Sequence, residues 1–332
     1  MKVTTCPDMA KLRSRFGACL ALTCALAFGA LLPHPADAQS FPSRRITVIT
    51  GTTPGTLTDL VTRLMAKQLE DRFKQPVVVE NRPGAGGLIA IQAAARSAPD
   101  GHTLVLGSEA TLYPEVFNKE QSSPAKEVTL IAAFGSTPTI FAVPASLKVR
   151  TMKELIQLAR ENPGKFNAAI GANTTLALEM TSFLRKNNLN MLEVPYVGMA
   201  QAIQAMATGD TQFMIASVLA VKPLLDRGTA IALGTSGANR FSLMPDIPTM
   251  KEQGFDVDYV TWFGVFSPNG MPADIVARLR REINESMNSA ESIPTMAKFG
   301  AEPLTSSPEA LMAKVGENSR RNREIAAQAD KK

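Results

Sequence analysis

Short apolar runs alternate with helical patterns along almost the whole chain, and this rhythm limits the fold more than any other feature. Ile46-Thr47-Val48-Ile49 reads as a buried strand, followed by a Thr/Gly/Pro turn. Leu57, Leu60, Val61, Leu64 and Met65 then recur at three- and four-residue steps, the spacing of one helix face. Residues 76–80 predict a second strand, 88–96 a second helix and 103–106 a third strand. Strand, helix and strand in succession imply parallel sheets with right-handed crossovers. The unit is an α/β layer, expected twice.

The middle of the chain repeats the theme. Residues 130–143 form a long, mostly apolar stretch suited to carrying the chain from one lobe to another. A helix over 151–160 is stopped by Asn162-Pro163-Gly164. A strand over 166–170, a helix over 176–184 and a strand ending at Val194-Pro195-Tyr196 follow. Next come a helix over 200–207 closed by Gly209 and a strand over 211–215. The stretch from Leu233 to Trp262-Phe263-Gly264 reads as loop-rich, and helices resume over 274–287 and 308–327.

The first forty residues bear on compartment. Lys2, Lys11, Arg13 and Arg15 give a positive start, an uncharged apolar run covers 16–32, and Ala36-Asp37-Ala38 places small residues where a signal peptidase reads them. Residues 1–38 are therefore expected to be a signal peptide cleaved after Ala38, leaving Gln39 as the mature start. All three cysteines (Cys6, Cys19, Cys24) fall in that segment, so the mature chain would hold no disulfide and rely on a large core. It would keep 31 basic and 28 acidic residues, a balance of +3 spread along the chain. No dense basic patch suggests nucleic acid, and no second apolar segment suggests a membrane domain.

Four strand ends carry small-residue turns that open helices, over 50–59, 107–111, 170–175 and 197–201. Ligands of doubly wound sheets sit outside the carboxyl ends of the strands. A helix start offers unpaired N–H groups and about half a positive charge to an anion. These turns contain no Lys or Arg, so the pocket they would form is polar and nearly neutral, fit for a carboxylate. For any single turn, ordinary capping is the better account of its small polar residues; four at equivalent strand ends favour a site. The Asn81-Arg82-Pro83-Gly84-Ala85-Gly86-Gly87 loop fails the dinucleotide fingerprint, because Ile89 stands where a third Gly is needed, and reads as a structural turn. His102, the only histidine after cleavage, reads as a solvent-facing turn residue. There is no Gly-x-Ser-x-Gly elbow, cysteine nucleophile or metal-ligand cluster, so no catalytic residue, cofactor or metal is expected. Asp59 is placed to stabilise N–H groups of its helix start. Glu109 is expected to point outward and cap its helix, the alternative being contact with a positive group on the ligand.

Several blocks resemble the Bug family, the substrate-binding receptors of tripartite tricarboxylate transporters. They are Pro42 through Ile49, Gly55 and Thr58-Asp59, Pro76 through Gly87, Ala98-Pro99-Asp100-Gly101, Val194-Pro195-Tyr196-x-Gly198, Met244-Pro245-Asp246-Ile247-Pro248-Thr249 and Trp262-Phe263-Gly264. The resemblance implies an α/β, two-lobed periplasmic binding protein (a Venus-flytrap), each lobe a mainly parallel sheet flanked by helices. Lobe one would hold 40–139 and 261–332, and lobe two 140–260. By position it implies ligand contacts from Thr52, Thr53, Gly55, Thr58, Ser108 and Thr111 on the first lobe. Gly171, Ala172, Asn173, Thr174 and Thr175 would supply those of the second. Thr174 and Thr175 are expected to donate hydrogen bonds to a ligand carboxylate.

The sequence also departs from the family pattern. Its first turn usually reads Pro-Phe-x-x-Gly-Gly; here Gly51 and Thr52 replace Pro and Phe, and Thr56 replaces the second Gly. Ala216 follows the Gln212-Phe213-Met214-Ile215 strand where some members carry an acid that meets a ligand amino group. With no cation in the turns, a mono- or dicarboxylate is expected rather than citrate. The expected partners are that ligand and the membrane subunits of a transporter, with the receptor a monomer. A receptor that presents its closed form to a sensor kinase needs the same clam-shell and is the alternative. A secreted two-lobed enzyme is disfavoured by the missing catalytic groups.

Overall fold

The structure is a computed structural model that describes residues 41–116, 121–171, 174–196, 199–257, 259–304 and 306–329. The expected signal segment, Ala172, Asn173, Val197 and Gly198 lie outside the described residues. Two compact units divide the chain, Met1–Ser43 and Arg44–Lys332, and every element below belongs to the second.

β1 (Ile46–Thr50) forms because Ile46, Val48 and Ile49 bury almost completely between neighbouring strands and helices. It pairs in parallel with β2 (Val77–Asn81) and β3 (Thr103–Ser108), as short buried strands linked by helices should. The first crossover is α1 (Leu57–Phe73), whose Val61, Met65, Leu69 and Phe73 repeat every fourth residue along its buried face. α2 (Leu88–Ala95) is the second, entered through a turn in which Gly84, Gly86 and Gly87 all have positive φ.

β4 (Val128–Pro144) is a single 17-residue strand and joins two ladders. Its first part, 128–138, runs antiparallel to β9 (Val260–Pro268), which in turn pairs with β3. Its last part pairs with β7 (Phe213–Ser217) and β8 (Ala230–Thr235). β7 continues in parallel to β5 (Asn167–Gly171), and β5 to β6 (Leu192–Tyr196). The hydrogen-bonded path therefore runs β2-β1-β3-β9-β4-β7-β5-β6, with β8 and the short β10 (Glu302–Pro303) attached to β4. On this half the helices are α3 (Met152–Glu161), α4 (Thr175–Lys186), α5 (Met199–Thr208) and α6 (Val218–Asp226). α7 (Ala273–Met287), α8 (Ser292–Lys298) and α9 (Pro308–Ala329) follow β9.

Alternation along β4 sorts its side chains between two cores. Phe141 and Val143 join Phe183 and Phe213 on one face, where Phe141 and Phe183 meet edge to face at 5.3 Å. Ile140 and Ala142 enter the cluster of Ala202, Met214 and Phe241 on the other. A third cluster packs Ile49, Leu88, Trp262 and Phe266 with Leu311 and Val315 of α9. The strand–helix rhythm thus produced the expected parallel triplets, β2-β1-β3 and β6-β5-β7.

The stretch read as loop-rich from Leu233 to Gly264 holds no named helix or strand between β8 and β9 among the described residues, but its two ends need correction. Leu233 belongs to β8 and Trp262 to Gly264 to β9, both antiparallel to β4. β9 buries both faces, and Thr, Gly and Ser interrupt its apolar residues, so neither alternation nor an apolar run marks it. His102 is also corrected: it is buried at 7 % exposure, with Nδ1 3.3 Å from Asp100 Oδ1.

Candidate functional site

β1, β2 and β3 are parallel and in register, so their carboxyl ends, and the turns that follow, lie side by side. Gly51 touches Gly87 so closely that a Cβ on Gly51 would stand 2.5 Å from the Gly87 Cα, and one on Gly87 would meet Thr111 at 2.6 Å. Glycine is what lets the first turn, the glycine turn and the third-strand turn close on one another. The structure thus brings Thr52, Thr53, Gly55, Thr58, Ser108 and Thr111 to one end of this ladder.

Most polar groups of the first turn are already engaged. Thr56 caps α1, and its hydroxyl donates to Thr52 Oγ1 and the Thr53 carbonyl, both at 3.0 Å. The Gly55 N–H donates to Asp59 Oδ2 at 2.9 Å. Asp59 also accepts from Asn81 Nδ2 at 2.8 Å and Arg63 Nε at 3.0 Å. Burial alone would raise this carboxyl, but the hydrogen bonds from Arg63, Asn81 and Gly55 outweigh it and hold the group below the ordinary Asp range. The start of α1 is therefore neutralised by an internal carboxylate. Thr53 and Gly55 are exposed at the tip of the turn, and the Thr58 carbonyl accepts from Thr62.

At the third-strand turn, Thr111 Oγ1 donates to the Ser108 carbonyl at 2.8 Å and accepts from the Ser108 N–H at 3.1 Å. Thr111 is buried and shapes the turn, while Ser108 is half-buried. Glu109 does not point outward. It is 4 % exposed and accepts from Trp262 Nε1 at 3.2 Å and from Asn318 Nδ2 at 2.6 Å. Burial pushes its carboxyl up, opposed by those hydrogen bonds and the charge of Arg321. The turn containing it is locked to β9 and α9, which is the physical reason the capping expectation fails.

Gly171 ends β5 and Thr174 caps α4. The Thr174 hydroxyl donates to the Gly171 carbonyl at 2.8 Å and accepts from the Ala177 N–H at 3.2 Å, so its proton is committed to the cap. Thr175 accepts from Tyr259 OH at 3.0 Å, which leaves its own O–H for another acceptor. No acidic residue stands in the first turn of α4. One turn further, Glu179 accepts from Thr139 Oγ1 at 3.3 Å, and burial pushes its carboxyl up to about 8. Burial also pushes the Tyr259 phenol up to about 12, with the charges of Glu109 and Glu179 adding to the effect. Tyr259 is thus within electrostatic reach of both the third-strand turn and the α4 face.

The family model described as "Tripartite tricarboxylate transporter family receptor" matches residues 61–330. The chain belongs to this family. A curated relative, Protein BugT of Bordetella pertussis, is 31% identical over 283 residues, 83% of this chain and 86% of that one. Among solved structures, "R. palustris Rpa4515 with adipate" superposes with a TM-score of 0.73 at 28% identity, covering 87% of this chain and 98% of that chain. "MatC (Rpa3494) from Rhodopseudomonas palustris with bound malate" gives 0.70 at 27%, covering 86% and 100%. This Bug-type receptor therefore has the two-lobed α/β periplasmic-binding-protein fold, and its family is one of solute receptors. Among the described residues, no helix is long and apolar enough to cross a membrane, and no group of His, Cys, Asp and Glu could hold a metal ion.

Sequence reasoning missed Glu179, Tyr259, Asn318 and Arg321 in this receptor. Glu179 could have been suspected, since it stands four residues after Thr175 on the same helix face. The other three arrive from distant segments, and nothing in their local sequence announces the meeting.

Proposed function

We propose that this receptor binds a small mono- or dicarboxylate in the periplasm and delivers it to the membrane subunits of a tripartite tricarboxylate-type transporter. In this reading residues 1–38 are removed on export, the mature chain acts as a monomer without a cofactor, and it catalyses nothing. Residues 40–139 with 261–332 make one lobe, 140–260 the other, and the ligand lies where their turns converge.

The observation that carries the reading is the start of α4. It combines a threonine cap, an available Thr175 hydroxyl and no acidic residue in the first turn, so its N–H groups and positive pole face no internal carboxylate. Ala172 and Asn173 precede that start in sequence, and Thr53, Gly55, Thr58 and Ser108 would add polar contacts from the other side. The adipate and malate of the two R. palustris structures support a dicarboxylate class. The absence of Lys and Arg from the turns argues against a third carboxylate, since an unpaired buried charge is too costly.

A thermal-shift panel of mono-, di- and tricarboxylates on the mature chain tests this. A ligand at a hundredfold excess over its Kd adds about 2.7 kcal/mol, enough for a clear rise in Tm. A rise with a C4–C6 dicarboxylate and none with citrate is expected; no rise with any carboxylate overturns the reading.

A further inference from the structure

A cavity of about 260 Å³ lies between α4, residues 254–259 and α9. Its described lining starts at Thr175, Glu179 and Tyr259 and runs along α4 to Lys186 and Asn187, with none of Thr52, Thr53, Gly55, Thr58, Ser108 or Thr111, so it leads away from those turns. Its size is just under the ordinary range for small-molecule pockets, roughly 300–1,000 Å³, and suits a ligand of one ring or a short chain.

The chemistry of its wall is uneven in an informative way. Asn322 lines it at 5 % exposure, yet among the described residues its side-chain amide has no hydrogen-bond partner. Its amide atoms are not among the sealed, unpartnered polar atoms of the interior, so they are open to a molecule placed in the cavity. Beside it, Arg321 also faces the cavity, and among the described residues its guanidinium forms no ion pair. Phe183, Phe255 and Ile325 supply apolar surface in the same space. Lys186 belongs to the lining too, but it is paired with Asp256 at 3.0 Å and exposed, so it does not compete for the role of anchor.

We propose that this cavity is a second binding site, taking a small monocarboxylate with an apolar body, its carboxylate held by Arg321 and the Asn322 amide and its body packed on Phe183, Phe255 and Ile325. The guanidinium provides charge and a planar pair of donors, and the amide provides a further donor that otherwise lacks an acceptor. The aromatic and aliphatic wall favours a ring or short chain over a second charged end. Thr175, Glu179 and Tyr259 join this cavity to the start of α4, so the two sites adjoin, while Asn322, Phe183, Phe255 and Ile325 belong to the second alone. This inference goes beyond the transport ligand and does not depend on its identity.

The probe is 4-fluorobenzoate, titrated against the mature chain and followed by fluorine NMR line broadening. Asn322→Leu, which keeps size and removes the amide, and Arg321→Gln should each weaken binding roughly tenfold or more, as expected for loss of a hydrogen bond to a charged group. Arg321→Lys should recover part of the loss. The carboxylate panel is run on Asn322→Leu in parallel: an unchanged Tm and an unchanged response show that the variant folds and that the transport site is intact. No broadening with wild type, or identical titrations for wild type, Asn322→Leu and Arg321→Gln, overturns the second site. Failure of the transport reading is separate, since it appears as a panel without any hit on either protein.

Discussion

The starts of α1 and α4 look equivalent in sequence, each a Thr- and Gly-containing turn after a parallel strand, yet they are electrostatic opposites. At α1 the Asp59 carboxylate accepts the Gly55 N–H and is steadied by Arg63 and Asn81. At α4 the cap is the uncharged Thr174, the first turn has no acid, and the nearest carboxyl, Glu179, is pushed up to about 8. A helix pole that carries its own counter-charge has little left for a ligand, whereas one faced by hydroxyls retains its pull on an anion. Resemblance between turns is therefore no guide to equal roles; the acid three residues into the helix decides.

The sharpest way to break this contrast is the pH dependence of stability, because the two acids act with opposite sign. Glu179 has a raised folded value, so the native state holds its proton where the unfolded chain has released it. Stability should fall as pH rises from the ordinary Glu range near 4.5 to about 8 and then level off. The groups facing Glu179 are Thr139 from β4, Arg321 from α9 and Tyr259 before β9. Tyr259 titrates well above this window, and the guanidinium keeps its charge throughout. Glu179 is half-buried by surface, since the cavity reaches it, so the full linkage is discounted. Glu179→Gln should then gain roughly 2–4 kcal/mol over wild type at pH 9 and nothing at pH 4 in urea unfolding. Equal stability at both pH values would refute a neutral Glu179.

Asp59→Asn should go the other way, losing roughly 2–3 kcal/mol at pH 7, the scale of hydrogen bonds to a charged group. Its folded value is depressed, so the contribution is present above the ordinary Asp range and lost as pH falls through the folded value. The gap between variant and wild type should therefore close in acid. A gap that persists at pH 2 would mean the cost is packing and not charge.

Two smaller effects separate binding from capping within α4 itself. Thr175→Val should weaken the carboxylate identified by the thermal-shift panel by about 1.5–3 kcal/mol, while the free protein loses only about 1 kcal/mol with the Tyr259 hydrogen bond. Thr174→Ala should cost about 1 kcal/mol of stability through loss of the cap. If instead Thr174→Ala weakens the carboxylate and Thr175→Val leaves its affinity unchanged, the roles of the two hydroxyls are reversed.

The parallel triplets and the helices between them were legible because each rests on local signals, namely continuous apolar runs, period-four stripes and stops such as Asn162-Pro163-Gly164. The apolar stretch 130–143, by contrast, was read as a connection and not as the single strand β4. The placement of Thr52, Ser108 and Thr175 at strand ends was legible for the same reason. β9 was hidden because burial on both faces erases alternation, and β8 because its two alanines and Gly234 carry little strand signal. Glu109 was misread because its partners, Trp262 and Asn318, come from far along the chain, and a buried acid differs from an exposed one only through such partners. Glu179 and Arg321 escaped notice on the same ground.

The 17 residues of β4 also fix the order in which this chain can fold. Val128 pairs with Pro268, Ser136 with both Trp262 and Glu302, and Ile140 with Thr235, so both ladders close through contacts of long sequence separation. Loop-closure entropy must be overcome before any of these pairings stabilises the chain, and folding slows accordingly. A nascent or translocating polypeptide lacking the segment beyond residue 259 has neither β9 nor β10 to pair with residues 128–138 of β4. The strand that unites the finished sheet is thus the last to be satisfied, and until then it is an open apolar edge that other chains could capture.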